Sequence, residues 1–336
     1  MKLPRGLSLG LMAAGLVFLT QQSALAEKLI FAHDWVPYGK HASFYVAAVN
    51  GYYKSVGMDV KVIRGHGSAD TVKRVLAKEP DFGLADTPAV IIGRSRAGSV
   101  KIIGIFADEG MNVIYSLKRS GIKAPKDLSG REVGDAQGGA CISIFPALAK
   151  LNGIKGWKHS VMRPAVKNPT LLAGKVDAIC TFVTVGVPLR FRAKKIGVQI
   201  AEMRFSDWGL DLYGASLITV DETIRKNPGR VRRFMEGTMK AMAWTVENTD
   251  AAMKVFLRLH PASNPTLTRL QWDVAAKHLM TPYAKKNGIG SIDAKKMANT
   301  RDLVVKYRSL KNSPKVEDIF TNKFLPKLFP KYSPAS

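Results

Sequence analysis

Residues 28–63 read KLIFAHDWVPYGKHASFYVAAVNGYYKSVGMDVKVI, and this stretch decides the fold. Residues 29–32 form a short apolar run of the kind that makes a buried strand. A loop over residues 33–41 follows, crowded with aromatic and hydrogen-bonding side chains. A helix comes next, then Gly57 and a second strand over residues 58–63. Strand, loop, helix, strand is the opening of a doubly wound α/β sheet, in which ligands sit beyond the carboxyl ends of the strands. His33, Asp34, Trp35 and Tyr38 occupy such an end.

The alternation continues outward. Arg64-Gly65-His66-Gly67-Ser68-Ala69-Asp70 frees the backbone at two glycines, and Ser68 suits a helix cap. The helix behind it shows Val72, Val75 and Leu76 on one face, and Pro80 ends it. Strands are expected over residues 81–85, 101–106 and 112–117. Asp86-Thr87-Pro88 opens a helix between the first two, with Pro88 in the first turn, where no amide donor is needed.

Glycine, proline and charge punctuate residues 120–130, and the pattern then restarts. Strands are expected over residues 131–134, 160–163, 176–180 and 198–203, and Gln137-Gly138-Gly139-Ala140 leads into a helix. Residues 213–220 are apolar and return toward the first unit. From Arg230 onward Val231, Phe234, Met235, Thr238, Met242 and Val246 recur at helical spacing, which reads as a core stripe. The expectation is therefore two α/β lobes, each a doubly wound sheet flanked by helices. Residues 27–117 plus 218–336 form lobe 1, and residues 118–217 form lobe 2. A cleft between two such lobes is a preferred ligand site, and hinge closure is its usual motion.

Residues 1–26 read as a secretory signal peptide. Lys2 and Arg5 give a positive start, residues 7–20 are mostly apolar, and Ala24-Leu25-Ala26 is a small-x-small cleavage site. The alternative, an N-terminal membrane anchor, calls for a longer apolar run. Twin arginines and a lipoprotein cysteine are absent from this stretch, and no later segment approaches the ~20 apolar residues of a span. A periplasmic protein is expected. The formal charge of +25 becomes +23 without Lys2 and Arg5. The basic residues are spread through many segments, so a solvated basic surface is the reading and no nucleic-acid partner is expected. Weak attraction to anionic membrane is compatible with such a charge.

Cys141 and Cys180 are the two cysteines. Two readings stay open: a disulfide, as an oxidising compartment allows, or two small buried hydrophobes. No Cys-x-x-Cys occurs and the six histidines lack ligand spacing, so no metal site is expected. Nothing specifies catalysis either. Gly-x-Ser-x-Gly and Walker A patterns are missing, and Gly65-His66-Gly67 is too short for a dinucleotide fingerprint. Asp108-Glu109 and Asp221-Glu222 are merely adjacent in sequence. No cofactor is expected.

What the strand ends do carry is binding chemistry. In lobe 1 the candidates are Asp34, Trp35, Tyr38, His66, Ser68, Asp86 and Thr87, beside His33. In lobe 2 they are Gly138, Gly139, Trp208, Asp211 and Tyr213, with Gln137, Cys141, Thr181, Thr184 and Asp207 nearby. An aromatic ring beside a carboxylate suits a flat ligand with N–H donors: the ring stacks and the carboxylate accepts. The amides after Gly139 suit an acidic group. Each has a plainer reading. Trp35 and Tyr38 also fit as packing under the loop, Asp86 as a helix start, Gly138-Gly139 as a tight turn, His66 as a surface residue, and Trp208 and Tyr213 as core. Trp157, Trp244 and Trp272 read as packing.

An ordered set of motifs carries a resemblance. It comprises Asp34-Trp35-x-Pro37, Gly51-Tyr52-Tyr53-Lys54-x-x-Gly57-Met58-Asp59-Val60, Asp81-Phe82-Gly83-x-Ala85-Asp86-x-Pro88-Ala89-Val90, Pro125-Lys126-Asp127-Leu128-x-Gly130 and Leu172-Ala173-Gly174-x-Val176-Asp177-Ala178. The chain resembles the periplasmic solute-binding proteins of ABC importers that serve thiamine pyrimidine precursors, nitrate, alkanesulfonates and taurine. The resemblance implies a two-lobed Venus-flytrap fold, a monomer that closes on one small molecule, and delivery to a membrane permease with its ATPase. It implies Trp35 and Tyr38 as stacking groups, and a thiamine pyrimidine precursor or related heterocycle as ligand. A sulfonate, nitrate or taurine type of anion is the alternative, kept open by Lys40, His41 and Gly138-Gly139. The same branch is similar to the fungal enzyme that makes the thiamine pyrimidine from its own histidine and pyridoxal phosphate. That enzyme bears a cysteine-rich iron-binding run, whereas the matching Trp208-Gly209-Leu210-Asp211-Leu212-Tyr213-Gly214 has no cysteine. A binding protein, not an enzyme, is the expectation; an exported synthase and a sensor of the same fold are the other readings.

Overall fold

The computed structural model describes residues 26–331. Residues 1–25, which hold nearly all of the expected signal peptide, lie outside the described residues. Strands β1 (Glu27–Ala32), β2 (Met58–Ile63), β3 (Phe82–Asp86) and β4 (Val100–Ile105) alternate with helices α1 (Ala42–Val49), α2 (Ser68–Leu76) and α3 (Thr87–Ala97). Strands β5 (Asn112–Leu117), β6 (Glu132–Asp135), β7 (Lys158–Val161), β8 (Ala178–Phe182) and β9 (Ile200–Arg204) follow, with α4 (Ala140–Asn152), α5 (Pro164–Leu172) and α6 (Gly186–Lys195) between them. Strand β10 (Ala215–Val220) closes the series.

The strands form two sheets of one plan. The first is ordered β2-β1-β3-β10-β4 and the second β7-β6-β8-β5-β9. Strand β10 runs antiparallel to β3 and β4, and β5 runs antiparallel to β8 and β9. Each time the chain crosses between sheets, the arriving strand inserts in the reverse direction into the sheet it joins. Strands β3, β5, β8 and β10 are buried along their whole length, as strands covered on both faces must be.

Two lobe boundaries differ from the sequence reading. Residues 112–117 are assigned there to lobe 1, but they pair as β5 with β8 and β9 of the second sheet. The first crossing therefore lies between β4 and β5. The returning strand starts at Ala215, three residues before the expected edge of lobe 1. Strand pairing, which no residue pattern encodes, decides both.

Helices α7 (Asp221–Lys226), α8 (Pro228–Glu247), α9 (Thr249–Leu259), α10 (Pro265–Leu279), α11 (Pro282–Asn287), α12 (Ala294–Arg308) and α13 (Val316–Ile319) complete the fold. The stripe of α8 is buried at Val231, Phe234, Met235, Thr238, Met242 and Val246. Its Phe234 ring stacks on Phe82 at 3.9 Å between centroids, which seats α8 on the first sheet. Helix α12 packs against both α3 and α4, which flank different sheets. The tail comes back to the first sheet, where Phe320 bridges to Ile102. Trp272 is fully buried. Among the described residues no helix is long and apolar enough to cross a membrane.

Candidate functional site

The loop after β1 builds one wall of the space between the lobes. A tight turn over Gly39–His41 brings Lys40 and His41 back onto Asp34. Asp34 Oδ2 accepts from Lys40 Nζ at 2.5 Å, and Oδ1 accepts from His41 Nε2 at 2.8 Å, with all three side chains buried. Burial alone would raise the Asp34 carboxyl. The Lys40 ammonium and the His41 hydrogen bond outweigh it and hold the carboxyl well below the usual carboxylate range. Burial lowers His41 to about 4 against the opposing Asp34 bond, so the ring is neutral. It then donates from Nε2 to Asp34 and accepts at Nδ1 from the Tyr38 amide, 3.3 Å away. Behind it His33 is fully buried, its ring 4.2 Å from that of His41 and both its nitrogens without a hydrogen-bond partner. Burial pushes the His33 pKa well down, which keeps this ring neutral too.

Lobe 2 supplies the facing wall. Asp135, the last residue of β6, is buried; its Oδ1 accepts from Lys167 Nζ at 2.8 Å and from the Ala136 amide at 2.8 Å. Its Oδ2 accepts from the Ile142 amide in the first turn of α4 at 3.2 Å. Lys167 also donates to the Cys180 carbonyl and to Thr181 Oγ1, each at 3.1 Å. Its ammonium sits 5.3 Å from the centre of the half-buried Trp35 ring, a cation–π contact between lobes. Cys141 and Cys180 form a disulfide with Cα atoms 5.4 Å apart, which resolves the two readings in favour of the bond.

The cavity left between these walls is small, about 20 Å³. Of the sequence candidates, Asp34, Trp35 and Ser68 line it from lobe 1, and Gly139, Cys141 and Thr181 from lobe 2. Tyr38 does not line it; its hydroxyl is bonded to Thr184 Oγ1 of lobe 2 at 2.8 Å, and burial keeps this phenol protonated by raising its pKa well above the ordinary value. Gly138 meets the lobe 1 loop, its carbonyl 3.4 Å from the Ala69 amide. Asp86 and Thr87 are fully buried beside the crossing. Asp86 Oδ2 accepts from Asn112 Nδ2 of β5 at 3.2 Å, and the Asp86 amide donates to Ser68 Oγ at 3.0 Å. Thr87 donates to the Gly214 carbonyl and contacts Ser216.

The remaining candidates are not brought to this space. His66 and Gln137 are exposed on the neighbouring loops. Trp208 packs against the second hydrophobic core, and Asp207 and Asp211 are exposed at the second crossing. Asp211 lines a separate depression with Arg204, His278 and Lys296. Tyr213 is fully buried, its hydroxyl accepting from the Asp293 amide at 2.8 Å and its own amide donating to Thr300. These residues follow a strand, but the chain there is a crossing that turns Tyr213 to the C-terminal helices and leaves Asp207 and Asp211 to solvent. The strand-end rule passed over Asp135, although it ends β6. Lys167 lies inside α5, and Ala140, Phe182 and Val185 complete the lining.

A family model described as NMT1/THI5 like matches residues 39–252. The chain belongs to the NMT1/THI5-like family. The formylaminopyrimidine-binding protein of Halalkalibacterium halodurans is 23% identical over 293 residues, covering 86% of this chain and 88% of that protein. A 4-amino-5-hydroxymethyl-2-methylpyrimidine phosphate synthase of Saccharomyces cerevisiae is 25% identical over 256 residues, covering 73% and 75%. In three dimensions the chain is similar to the periplasmic aliphatic sulphonate binding protein SsuA of Escherichia coli. The TM-score is 0.65 at 13% identity, over 91% of this chain and 94% of that one. The NMT1/THI5-like chain thus has the two-lobed periplasmic binding protein fold.

Proposed function

We propose that the protein is the solute-capturing component of an ABC importer, acting outside the cytoplasm. It holds a small nitrogen-rich heterocycle of the thiamine-pyrimidine kind between its lobes for a membrane permease and its ATPase. One observation carries the choice of ligand. The two carboxylates at the cleft, Asp34 and Asp135, are each matched by one ammonium, Lys40 and Lys167. No cationic excess greets an incoming anion. An ionised carboxylate has about four lone-pair sites, so Asp34, which spends two on Lys40 and His41, retains acceptors for ligand N–H groups. Trp35 and Phe182 offer apolar faces for a flat ring. The pyrimidine named in the Halalkalibacterium relative agrees with this reading.

A receptor is favoured over the synthase of the yeast relative. Lys167, the lysine in the cleft lining, spends its Nζ donors on Asp135, Cys180 and Thr181, and Lys40 is held by Asp34, so neither amine is left free for an aldehyde cofactor. The test is a thermal-shift screen of aminopyrimidines, sulfonates, taurine and nitrate, followed by calorimetric titration. A bound ligand raises the melting temperature by mass action. An aminopyrimidine should raise it, with no turnover of the compound. A shift with sulfonate or nitrate and none with any pyrimidine would overturn the reading.

A further inference from the structure

We infer that Asp135 is a specificity-determining residue: its carboxylate is a built-in occupant of an oxyanion site and keeps free oxyanions out of the cleft. This rests on the cleft being the solute site. The first turn of α4, a helix of 13 residues, begins at the cleft wall with Ala140 and Cys141. Such a helix start favours negative charge. Here that charge is supplied from within the chain. Asp135 is 2% exposed and gathers three donors, the amides of Ala136 and Ile142 and the ammonium of Lys167.

Two amides and a buried ammonium are the donor set that a sulfonate, sulfate or phosphate group would seek. The carboxylate already holds them and brings its own negative charge. Nor is there space for both. A Cβ placed on Gly139 would lie 2.5 Å from Asp135 Oδ2, so the carboxylate is pressed against the helix start. A second anion would lose the donors and meet repulsion. The fold alone is shared with a sulphonate binder; on our reading the side chain at position 135 separates the two ligand classes in this chain.

The experiment uses methanesulfonate and sulfate as probes, with chloride at equal ionic strength as the reference. The parent protein should show no melting shift specific to either probe. Asp135→Ala vacates the site, and both probes should then raise its melting temperature and bind on the order of tenfold or more tighter than to the parent. Asp135→Ala combined with Lys167→Met should lose that gain. A merely structural aspartate would leave every variant indifferent to the probe anions. Should Asp135→Ala fail to fold in chloride, recovery of a cooperative melt in sulfate supports the inference. Without that recovery, the near-isosteric Asp135→Asn decides in its place. A folded variant without anion gain, or a parent that binds methanesulfonate as well as the variant does, overturns it. Aminopyrimidine titration of the parent in the same series separates the two proposals. If the parent binds the pyrimidine and no variant gains anions, only the role of Asp135 fails; if the parent binds no pyrimidine, the receptor reading fails first.

Discussion

The hydroxyls of Tyr38 and Thr184 share a 2.8 Å hydrogen bond that joins the loop after β1 to the segment after β8, so it spans the two lobes. Both side chains are buried, and opening the cleft would hand both hydroxyls to water. A bond of this kind stabilises the closed form over the open one by about 0.5–1.5 kcal/mol. Tyr38→Phe should weaken ligand binding by roughly two- to tenfold while leaving the melting of the ligand-free protein nearly unchanged. Calorimetry on Tyr38→Phe, Thr184→Val and the double variant checks this. Additive losses would show that the two hydroxyls do not act together.

Trp35 carries a different load. Its half-buried ring lies under the Lys167 ammonium and lines the cleft. Replacing it by alanine removes both an apolar wall and the cation–π contact. Trp35→Ala should cost more than ~1 kcal/mol of ligand affinity, and Trp35→Phe should recover part of it. Titration that finds unchanged affinity in Trp35→Ala would remove the ring from the site.

The place of Trp35 on the cleft wall was legible because it stands in a loop directly after the first strand, where the doubly wound fold puts ligands. The alternation of elements was legible too, since apolar runs and glycine punctuation mark strands and helix ends. The membership of β5 was not. A strand buried on both faces has no polar side to say which sheet it joins, and Asn112–Leu117 reads the same in either. Lys167 was hidden inside α5, where a lysine reads as solvated; only the tertiary fold brings its ammonium to Asp135. Trp208, Asp211 and Tyr213 show the converse. They satisfy the rule for strand ends, yet the crossing turns Tyr213 toward Asp293 and Thr300.

Asp86 should make stability fall as pH rises. Burial, opposed by the Asn112 hydrogen bond and assisted by nearby Asp34, pushes its carboxyl up to about 7 from an ordinary 3.8. The folded state therefore holds the proton more tightly than the unfolded chain. That contribution is intact below the unfolded value, is lost as pH rises toward about 7, and is flat beyond. Each unit of separation corresponds to about 1.4 kcal/mol. His41 has the opposite sign, because its lowered pKa costs stability as pH falls toward about 4. Asp86→Asn leaves His41 in place, so the difference between variant and parent isolates Asp86. Denaturant melts should show Asp86→Asn gaining on the parent between pH 4 and 7, and a constant gap across that window would contradict the shift.

The Cys141–Cys180 bond ties the start of α4 to β8 across a sequence separation of 39 residues. A crosslink of that span is worth about 2–4 kcal/mol. It also fixes two lining residues, Cys141 at one end of the bond and Thr181 next to Cys180 at the other. Reductant should lower the parent's melting temperature to that of a Cys141→Ala/Cys180→Ala variant and leave the variant unmoved. Ligand affinity should fall with the same treatment. A parent insensitive to reductant after thiol titration confirms reduction would deny the bond this role.

Closure itself depends on the absence of a side chain at one point. Gly67 has φ 138°, a conformation in which side chains are strained, and an added Cβ would lie 2.4 Å from the Gly138 carbonyl oxygen of the opposite lobe. Opening the cleft relieves the collision but not the backbone strain. Gly138 provides the control. Its φ of 75° is also left-handed, yet a Cβ there meets its nearest neighbour, the Ala69 Cβ, at 3.9 Å. Gly138→Ala should therefore lose about 1–2 kcal/mol of stability through strain alone and keep its ligand affinity. Gly67→Ala should lose affinity by roughly tenfold or more, since part of the binding free energy goes into forcing the lobes together. Solution scattering distinguishes the two: with saturating ligand the Gly67→Ala protein should remain more extended than the parent, and equal compaction would show that the loops do not gate closure.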